Sequence, residues 1–72
     1  MTAGGRGRVT NCIRRLREAE GMTQAELAER VGATRQTIIA IEAEKYAPSL
    51  ELAFRLARAF RAPFEKVFRY EE

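Results

Sequence analysis

The chain has 72 residues, 46% of them hydrophobic and 32% charged, and it carries a formal net charge of +3 at pH 7. This length allows one small domain, and the balance of apolar and charged residues is that of a globular protein. There is no histidine and a single cysteine, Cys12, so the usual zinc ligands and a serine–histidine or cysteine–histidine catalytic pair are not available. Composition therefore argues against an enzyme and against a metal or other cofactor.

The start of the chain, residues 1–8, is rich in glycine and arginine. We predict a flexible basic arm there, followed by one domain at residues 9–72. The arm lacks the apolar stretch of a secretory signal, and no run in the chain approaches the roughly 20 apolar residues that span a bilayer. We therefore expect a cytoplasmic protein with no membrane partner. Arginines near the start favour an anionic partner such as nucleic acid, although a solvated tail explains them equally well.

Five short helices and no strand are predicted for the rest of the chain. The first helix begins near Thr10 or Asn11, either of which can cap a helix, and it ends at Gly21. At the start of the second helix, Thr23 and Glu26 have the spacing of a capping box, in which each side chain bonds the backbone N–H of the other residue.

Glycine, hydroxyl and proline residues mark the remaining helix boundaries. Gly32 ends the second helix after about Arg30, because glycine readily takes the left-handed backbone of a sharp turn. Thr34 caps the third helix, Ser49 caps the fourth, and Pro63 suits the first turn of the fifth. Apolar residues at helical spacing are predicted to form the core. They are Ile13, Leu16, Leu27, Ala28, Val31, Ile38, Ile41, Leu50, Ala53, Phe54, Ala57, Phe60, Phe64, Val67 and Phe68.

The segment from Gln24 to Glu42 carries the strongest functional signal. It places two helices on either side of a turn at residues 31–33, with the small Ala28 where the helices would cross closely. Each feature alone is weak, but the combination is typical of a helix-turn-helix that presents its second helix to DNA.

The outward face of the third helix has the chemistry of base recognition. Arg35 and Gln36 lie in its first turn, where they can form paired hydrogen bonds with guanine and adenine. Ile39 and Ala40 are predicted to be exposed beside them, and a thymine methyl group would provide an apolar partner. Isolated exposed apolar residues are also common, so Ile39 and Ala40 have an ordinary alternative interpretation.

Most of the chain, residues 9–70, resembles the phage Cro and repressor-type helix-turn-helix proteins (the XRE family), especially small stand-alone prokaryotic transcriptional regulators. The matching stretches are residues 11–17, 22–28, 35–42 and 45–53, which read NCIRRLR, MTQAELA, RQTIIAIE and KYAPSLELA. The resemblance implies an all-α fold, a compact five-helix bundle like the lambda-repressor DNA-binding domain. It also implies a nucleoid-associated regulator that binds double-stranded operator DNA, usually as a homodimer, with a recognition helix at about residues 34–43 in the major groove.

The resemblance also implies roles for single residues. Gln24 would lie on a DNA phosphate at the start of the second helix, where free N–H groups and the helix dipole attract an anion; an exposed residue with no contact is the alternative. The base-reading positions are matched by Arg35, Gln36, Ile39 and Ala40. The backbone-contacting positions are matched by Gln24, Thr34, Thr37, Lys45 and Tyr46.

Arg17 and Glu42 match a structural ion pair of the family that ties the first helix to the end of the third; two unrelated surface charges are the alternative. The sequence departs from the family at Glu44 and Arg61, where glycine is common. If a left-handed backbone is needed there, a residue with a Cβ is strained. The exit of the third helix, and with it the direction of Lys45, is therefore in question.

One side of a short fifth helix must remain outside the core, and apolar residues there are candidates for a dimer contact. The candidates are Phe64, Val67, Phe68 and Tyr70. Core packing is the alternative for most of them.

No small-molecule ligand is expected. Two other functions remain open: an antitoxin-type protein whose main partner is a toxin protein, and an interaction module that does not bind DNA.

Overall fold

The computed structural model describes residues 7–72, which form five helices and two short strands. In chain order these are β1 (Arg8–Asn11), α1 (Ile13–Ala19), α2 (Gln24–Val31), α3 (Arg35–Glu42), α4 (Leu50–Ala59), α5 (Phe64–Val67) and β2 (Phe68–Glu71). Most of the predicted basic arm, including Arg6, lies outside the described residues. Across residues 7–72, the helices are all too short or too polar to cross a membrane.

The two strands correct the prediction of an all-helical domain. β1 and β2 pair in antiparallel fashion, with Arg8 opposite Glu71 and Asn11 opposite Phe68. Arg8, which we assigned to the arm, begins β1, and Phe68, which we assigned to the fifth helix, begins β2. Each strand has only 4 residues, too few for an alternating pattern to be recognised. Its hydrogen bonds also depend on a partner at the other end of the chain.

The first helix begins later than predicted, because pairing with β2 holds Thr10 and Asn11 in an extended strand. α1 starts at Ile13, and Cys12 precedes it without a side-chain cap. The Asn11 side chain still accepts a hydrogen bond from Ile13 N at 3.0 Å and donates one to Ile41 O at 2.9 Å. Asn11 therefore ties the start of α1 to the last turn of α3.

The predicted caps of the next three helices are present. The Thr23 hydroxyl accepts from Glu26 N at 3.0 Å, while the Glu26 carboxylate accepts from Thr23 N at 2.8 Å. Thr34 and Ser49 cap α3 and α4 through hydroxyls that each accept from the third backbone N–H of the helix. Pro63 precedes α5 instead of opening it, and provides no side-chain cap.

One apolar side of each helix contributes to a single core. The buried residues are Ile13, Met22, Leu27, Ala28, Val31, Ile38, Ile41, Ala53, Leu56, Ala57, Phe60, Val67 and Phe68. Leu50 and Phe54 were predicted for this core and are instead exposed on α4, whereas Leu56 is fully buried. The side of α4 that faces the core is therefore rotated about the helix axis from the predicted side. As a result, the apolar side chains of Leu50 and Phe54 are left at the surface.

Among residues 7–72, two residues other than glycine adopt a left-handed backbone: Glu44 with φ 60° and Arg61 with φ 53°. This conformation costs a residue with a Cβ roughly 1–2 kcal/mol, whereas glycine costs roughly 0.5–1 kcal/mol through the flexibility it adds to the unfolded chain. We therefore expect Arg61→Gly to raise the free energy of unfolding by about 0.5–1 kcal/mol, measured by urea denaturation.

Arg61→Ala is the matched control, because it removes the same side chain but keeps the Cβ, and it should leave stability nearly unchanged. Equal gains from both variants would mean that the arginine side chain, not the backbone conformation, is responsible. Glu44→Gly should gain less than Arg61→Gly, because Glu44 Oε1 lies 3.6 Å from Arg8 Nη1 in an ion pair that the variant loses.

Candidate nucleic-acid interface

A tight turn joins α2 to α3 and sets the direction of α3. Gly32 follows α2 with φ 75°, in the left-handed region, and Ala33 N donates to Ala28 O at 2.9 Å. On α3, Ile38 and Ile41 are fully buried. Their burial fixes which side of the helix faces the core and which side is presented outward.

The opposite side of α3 is open to solvent at its start. Arg35 and Gln36 are exposed in the first turn, and Arg35 has no ion-pair partner among residues 7–72. Ile39 and Ala40 are half-buried, less open than the sequence predicted, because they flank the side of the helix that enters the core. Both remain partly accessible to solvent.

A shallow concavity of about 580 Å³ adjoins this face, between α1, α2 and α3. Its walls include Arg35 and Ile39 from α3, Gln24 from the start of α2, and Arg14 from α1. Arg14 was not among the predicted site residues; its exposed guanidinium is paired with Glu18 at 3.1 Å on the same wall. Its place three residues before Arg17, on the same side of one helix, was the available signal.

The predicted backbone-contacting residues lie around the ends of these helices. Gln24 is the first residue of α2 and is half-buried. The Thr34 hydroxyl accepts from Thr37 N at 3.1 Å and lies 3.0 Å from the Thr37 hydroxyl. Lys45 and Tyr46 are exposed just after α3. Thr34 and Thr37 thus already stabilise the start of α3, while Lys45 and Tyr46 are open to a partner.

The left-handed backbone at Glu44 closes α3. Glu44 N donates to Ile41 O and Lys45 N donates to Ala40 O, both at 2.9 Å; this pair of bonds commonly ends helices at glycine. Glu44 adopts the required φ without being glycine. Lys45 therefore leaves the helix in the direction that a glycine would allow. Because Glu44 has a Cβ, its backbone is strained in this conformation.

Arg17 and Glu42 are in contact, with side chains only 11% and 6% exposed. Arg17 Nε donates to Glu42 Oε2 at 2.6 Å, and Arg17 Nη2 donates to Glu42 Oε1 at 3.2 Å. Arg17 Nη1 donates to Met22 O at 2.9 Å. The hydrogen bond with Glu42 raises the pKa of Arg17 above its ordinary value, and burial opposes this effect. The pair joins α1, the turn before α2 and the end of α3.

Gln24 is also bonded to this pair, because its Nε2 donates to Glu42 Oε1 at 3.1 Å. This bond was not predicted, since nothing in the spacing of residues 24 and 42 indicates that their side chains meet. It links a predicted phosphate-contacting residue to a buried carboxylate.

An apolar face lies where the sheet meets the starts of α4 and α5. We define it as Val9, Leu50, Phe54, Phe64 and Tyr70; Leu50 and Tyr70 are 68% and 64% exposed. The rings of Phe54 and Phe64 have centroids 5.0 Å apart, and Val9 is opposite Tyr70 in the sheet. Except for Phe54, these residues line a groove of about 420 Å³.

The four predicted dimer residues lie in two different places, the core and the apolar face. Val67 and Phe68 are buried in the core, and Phe68 also lines the groove from below. Phe64 is half-buried and Tyr70 is exposed, and both belong to the apolar face. In the part of the chain that the structure describes, no three cysteine or acidic side chains come together as metal ligands.

Two packed helices joined by a left-handed turn, the second with one side in the core and one side open, define a helix-turn-helix protein. The chain belongs to the XRE-type helix-turn-helix family, since a family model described as Helix-turn-helix matches residues 13–67. The family resemblance stated from the sequence is thereby confirmed.

The chain is similar to proteins from archaea and bacteria. It is 57% identical over 61 residues to an uncharacterized HTH-type transcriptional regulator of Methanothermobacter thermautotrophicus, covering 83% of this chain and 88% of that protein. It is 47% identical over 62 residues to the uncharacterized HTH-type transcriptional regulator YgzD of Bacillus subtilis, covering 86% and 94%. A crystal structure of a proposed DNA-binding protein from Bacteroides fragilis shares the fold, with a TM-score of 0.76 at 23% identity over 85% of this chain and 98% of that one.

Proposed function

We propose that the chain is a sequence-specific DNA-binding transcriptional regulator that places α3 in the major groove. The observation that carries this proposal is the open first turn of α3, where Arg35 and Gln36 project from a helix whose other side is fixed in the core. The names of the Methanothermobacter and Bacillus relatives, both HTH-type transcriptional regulators, support it. The place of action is then the prokaryotic cytoplasm, on the nucleoid.

In this arrangement the first two turns of α3 read bases directly. The Arg35 guanidinium donates to O6 and N7 of a guanine, and the Gln36 amide pairs with N6 and N7 of an adenine. The accessible edges of Ile39 and Ala40 meet thymine methyl groups next along the groove. Polar and apolar contacts on one helix face would together select a short sequence.

Phosphate contacts on both sides hold α3 in the groove. At the start of α2, the Gln24 amide and the free backbone N–H groups face an anion that the helix dipole favours. Lys45 and Tyr46, open after α3, contact the backbone beyond its other end. The adjacent Thr34 and Thr37 hydroxyls use one hydrogen between them, which leaves the other for a phosphate oxygen.

Arg35→Ala is expected to weaken binding to a preferred duplex by about 1–3 kcal/mol and to relax the preference at one base pair, because a two-point contact with guanine is lost. The duplex is first selected from random sequences, and affinities for it and for its single-base variants are then measured by fluorescence anisotropy.

The matched control is Lys45→Ala, which removes a cation that contacts only the backbone. It should weaken binding to all sequences alike and flatten the dependence of log affinity on log salt by about one unit. Equal losses for Arg35→Ala on the preferred duplex and on random DNA would contradict base reading by Arg35.

The regulator binds as a twofold homodimer in which a second copy covers the apolar face. An exposed apolar surface of this kind marks an interaction site in a small domain. Its rim carries opposite charges, Glu65 and Arg69, neither of which forms an ion pair within residues 7–72. A twofold axis that passes between Glu65 and Arg69 would bring each near the opposite charge of the second copy, and the surface would then be complementary to itself.

The location of the apolar face also suits a second copy. Ala47 and Pro48, which follow the exit of α3, line the same groove as Leu50. In a dimer formed across this groove, the exits of the two α3 helices would lie on either side of it. Two copies of α3 are needed about 34 Å apart to enter successive major grooves.

A further inference from the structure

We infer that Glu42 is a positioning residue that orients the side-chain amide of Gln24 for its contact with a DNA phosphate. The inference rests on the proposed DNA-binding function and concerns one contact within it. The observation behind it is the bond from Gln24 Nε2 to Glu42 Oε1, at 3.1 Å, which joins the edge of the interface to the buried ion pair.

The chemistry of the two groups fixes which end of the amide faces Glu42. An ionised carboxylate can only accept hydrogen bonds, so the Gln24 NH2 group must point toward it and the Gln24 carbonyl must point away. An amide nitrogen carries two hydrogens, and Glu42 takes one. The second hydrogen remains for a phosphate oxygen at the start of α2, where the capping box of Thr23 and Glu26 leaves the backbone N–H groups of Gln24 and Ala25 for an anion.

The Glu42 carboxylate is itself held in place. Arg17 contacts both of its oxygens, at 2.6 and 3.2 Å, and is anchored in turn on Met22 O. A glutamine at a helix start otherwise samples several rotamers, and ordering it on binding weakens the contact. Because the Glu42 carboxylate is fixed, it holds the Gln24 side chain in place before DNA binds, and part of the entropic cost of ordering that side chain is avoided.

The positive charge of Arg17 makes this arrangement compatible with a phosphate. A lone carboxylate one hydrogen bond away from the contact would repel the DNA backbone. The two-point contact with Arg17 balances the charge of Glu42. Because Glu42 is the last residue of α3, one network fixes both the base-reading helix and the phosphate-contacting amide.

The test uses a preferred duplex in which single phosphates are replaced by uncharged methylphosphonates. Gln24→Met keeps the length of the side chain but loses its donor, so it identifies the phosphate that Gln24 contacts; Lys45→Ala identifies a reference phosphate. In the native protein, replacement of the Gln24 phosphate should weaken binding about three- to tenfold. In Glu42→Gln we expect that penalty to fall below about twofold, with the penalty at the Lys45 phosphate unchanged.

Glu18→Gln is the matched control, because it removes one negative charge from the wall of the same concavity, and within residues 7–72 the Glu18 carboxylate bonds Arg14 and not Gln24. It should leave both penalties as they are in the native protein. Equal losses at all phosphates in Glu42→Gln would indicate a purely structural role and overturn the inference. A larger penalty at the Gln24 phosphate would mean that Glu42 competes with DNA for the amide, and would overturn it as well.

A second measurement does not depend on the variant folding. In the native protein without DNA, ¹⁵N relaxation of the Gln24 side-chain amide should be as restricted as that of the backbone, and an amide that moves freely would overturn the inference. Failure of the proposed function is distinguishable, since the native protein would then bind no duplex in a salt-dependent way. If the native protein binds duplex but Glu42→Gln does not change the loss of affinity caused by replacing the Gln24 phosphate, only the positioning role of Glu42 is wrong.

Discussion

Arg17→Ala is expected to lower the free energy of unfolding by about 3–5 kcal/mol, a large share of the roughly 5–15 kcal/mol that stabilises a typical domain. The loss arises because the carboxylate of Glu42, 6% exposed, would keep its charge in a buried place without a counterion. The bond from Arg17 Nη1 to Met22 O would also be lost. Urea denaturation followed by circular dichroism measures the effect.

Arg14→Ala is the control for this prediction. It breaks an ion pair in the same helix, with Glu18 at 3.1 Å, but both of those side chains are more than half exposed, so a change of less than about 1 kcal/mol is expected. The combined change of Arg17→Met and Glu42→Leu should restore most of the stability, because no charge is then stranded. Similar small losses for Arg17→Ala and Arg14→Ala would contradict the importance of the buried pair.

Leu50→Glu is expected to prevent dimer formation and to weaken binding to a duplex with two half-sites by roughly 100-fold or more, because the two recognition helices would then bind independently. A twofold contact would bring two added carboxylates together in an apolar groove, which is unfavourable for each. Leu50 is largely exposed in the first turn of α4, where a glutamate suits the helix dipole, so the monomer should fold normally. Sedimentation equilibrium and titration of the duplex measure the two effects.

A duplex with one half-site provides the control, since Leu50→Glu should bind it as well as the native chain does. Equal weakening on one and two half-sites would mean that Leu50 acts on DNA binding itself and not on pairing of copies. A native chain that is monomeric at all concentrations would overturn the dimer. The apolar face would then be left for a different protein, as the antitoxin alternative requires.

Local chemistry in this chain could be predicted from the sequence. Thr23, Thr34 and Ser49 act on backbone groups within three residues, so their spacing alone indicates a helix start, and the structure has helices beginning after each. Gly32 turns the chain within the same short range. The helix-turn-helix, and with it the outward position of Arg35, follows from such short-range signals.

Contacts between distant parts of the chain could not be predicted in the same way. The bond between Gln24 and Glu42 spans 18 residues, and the strands pair the two ends of the described chain. Each depends on how helices pack, which no local pattern records. The exposure of Leu50 and Phe54 could not be predicted for the same reason. Their spacing indicates one helix face, but which side of α4 enters the core depends on the positions of the other helices.

The pairing of the two ends has a consequence for the order in which the domain assembles. Thr10 and Glu71 are 61 residues apart in the chain, yet their side chains bond at 3.3 Å. Closing so long a loop costs conformational entropy, so we expect the helices to form from nearby contacts before the strands pair. Val9 and Tyr70 belong to those strands and to the apolar face. A second copy seated there would stabilise the paired strands, so rising protein concentration would raise the stability of the native domain while it brings two recognition helices together.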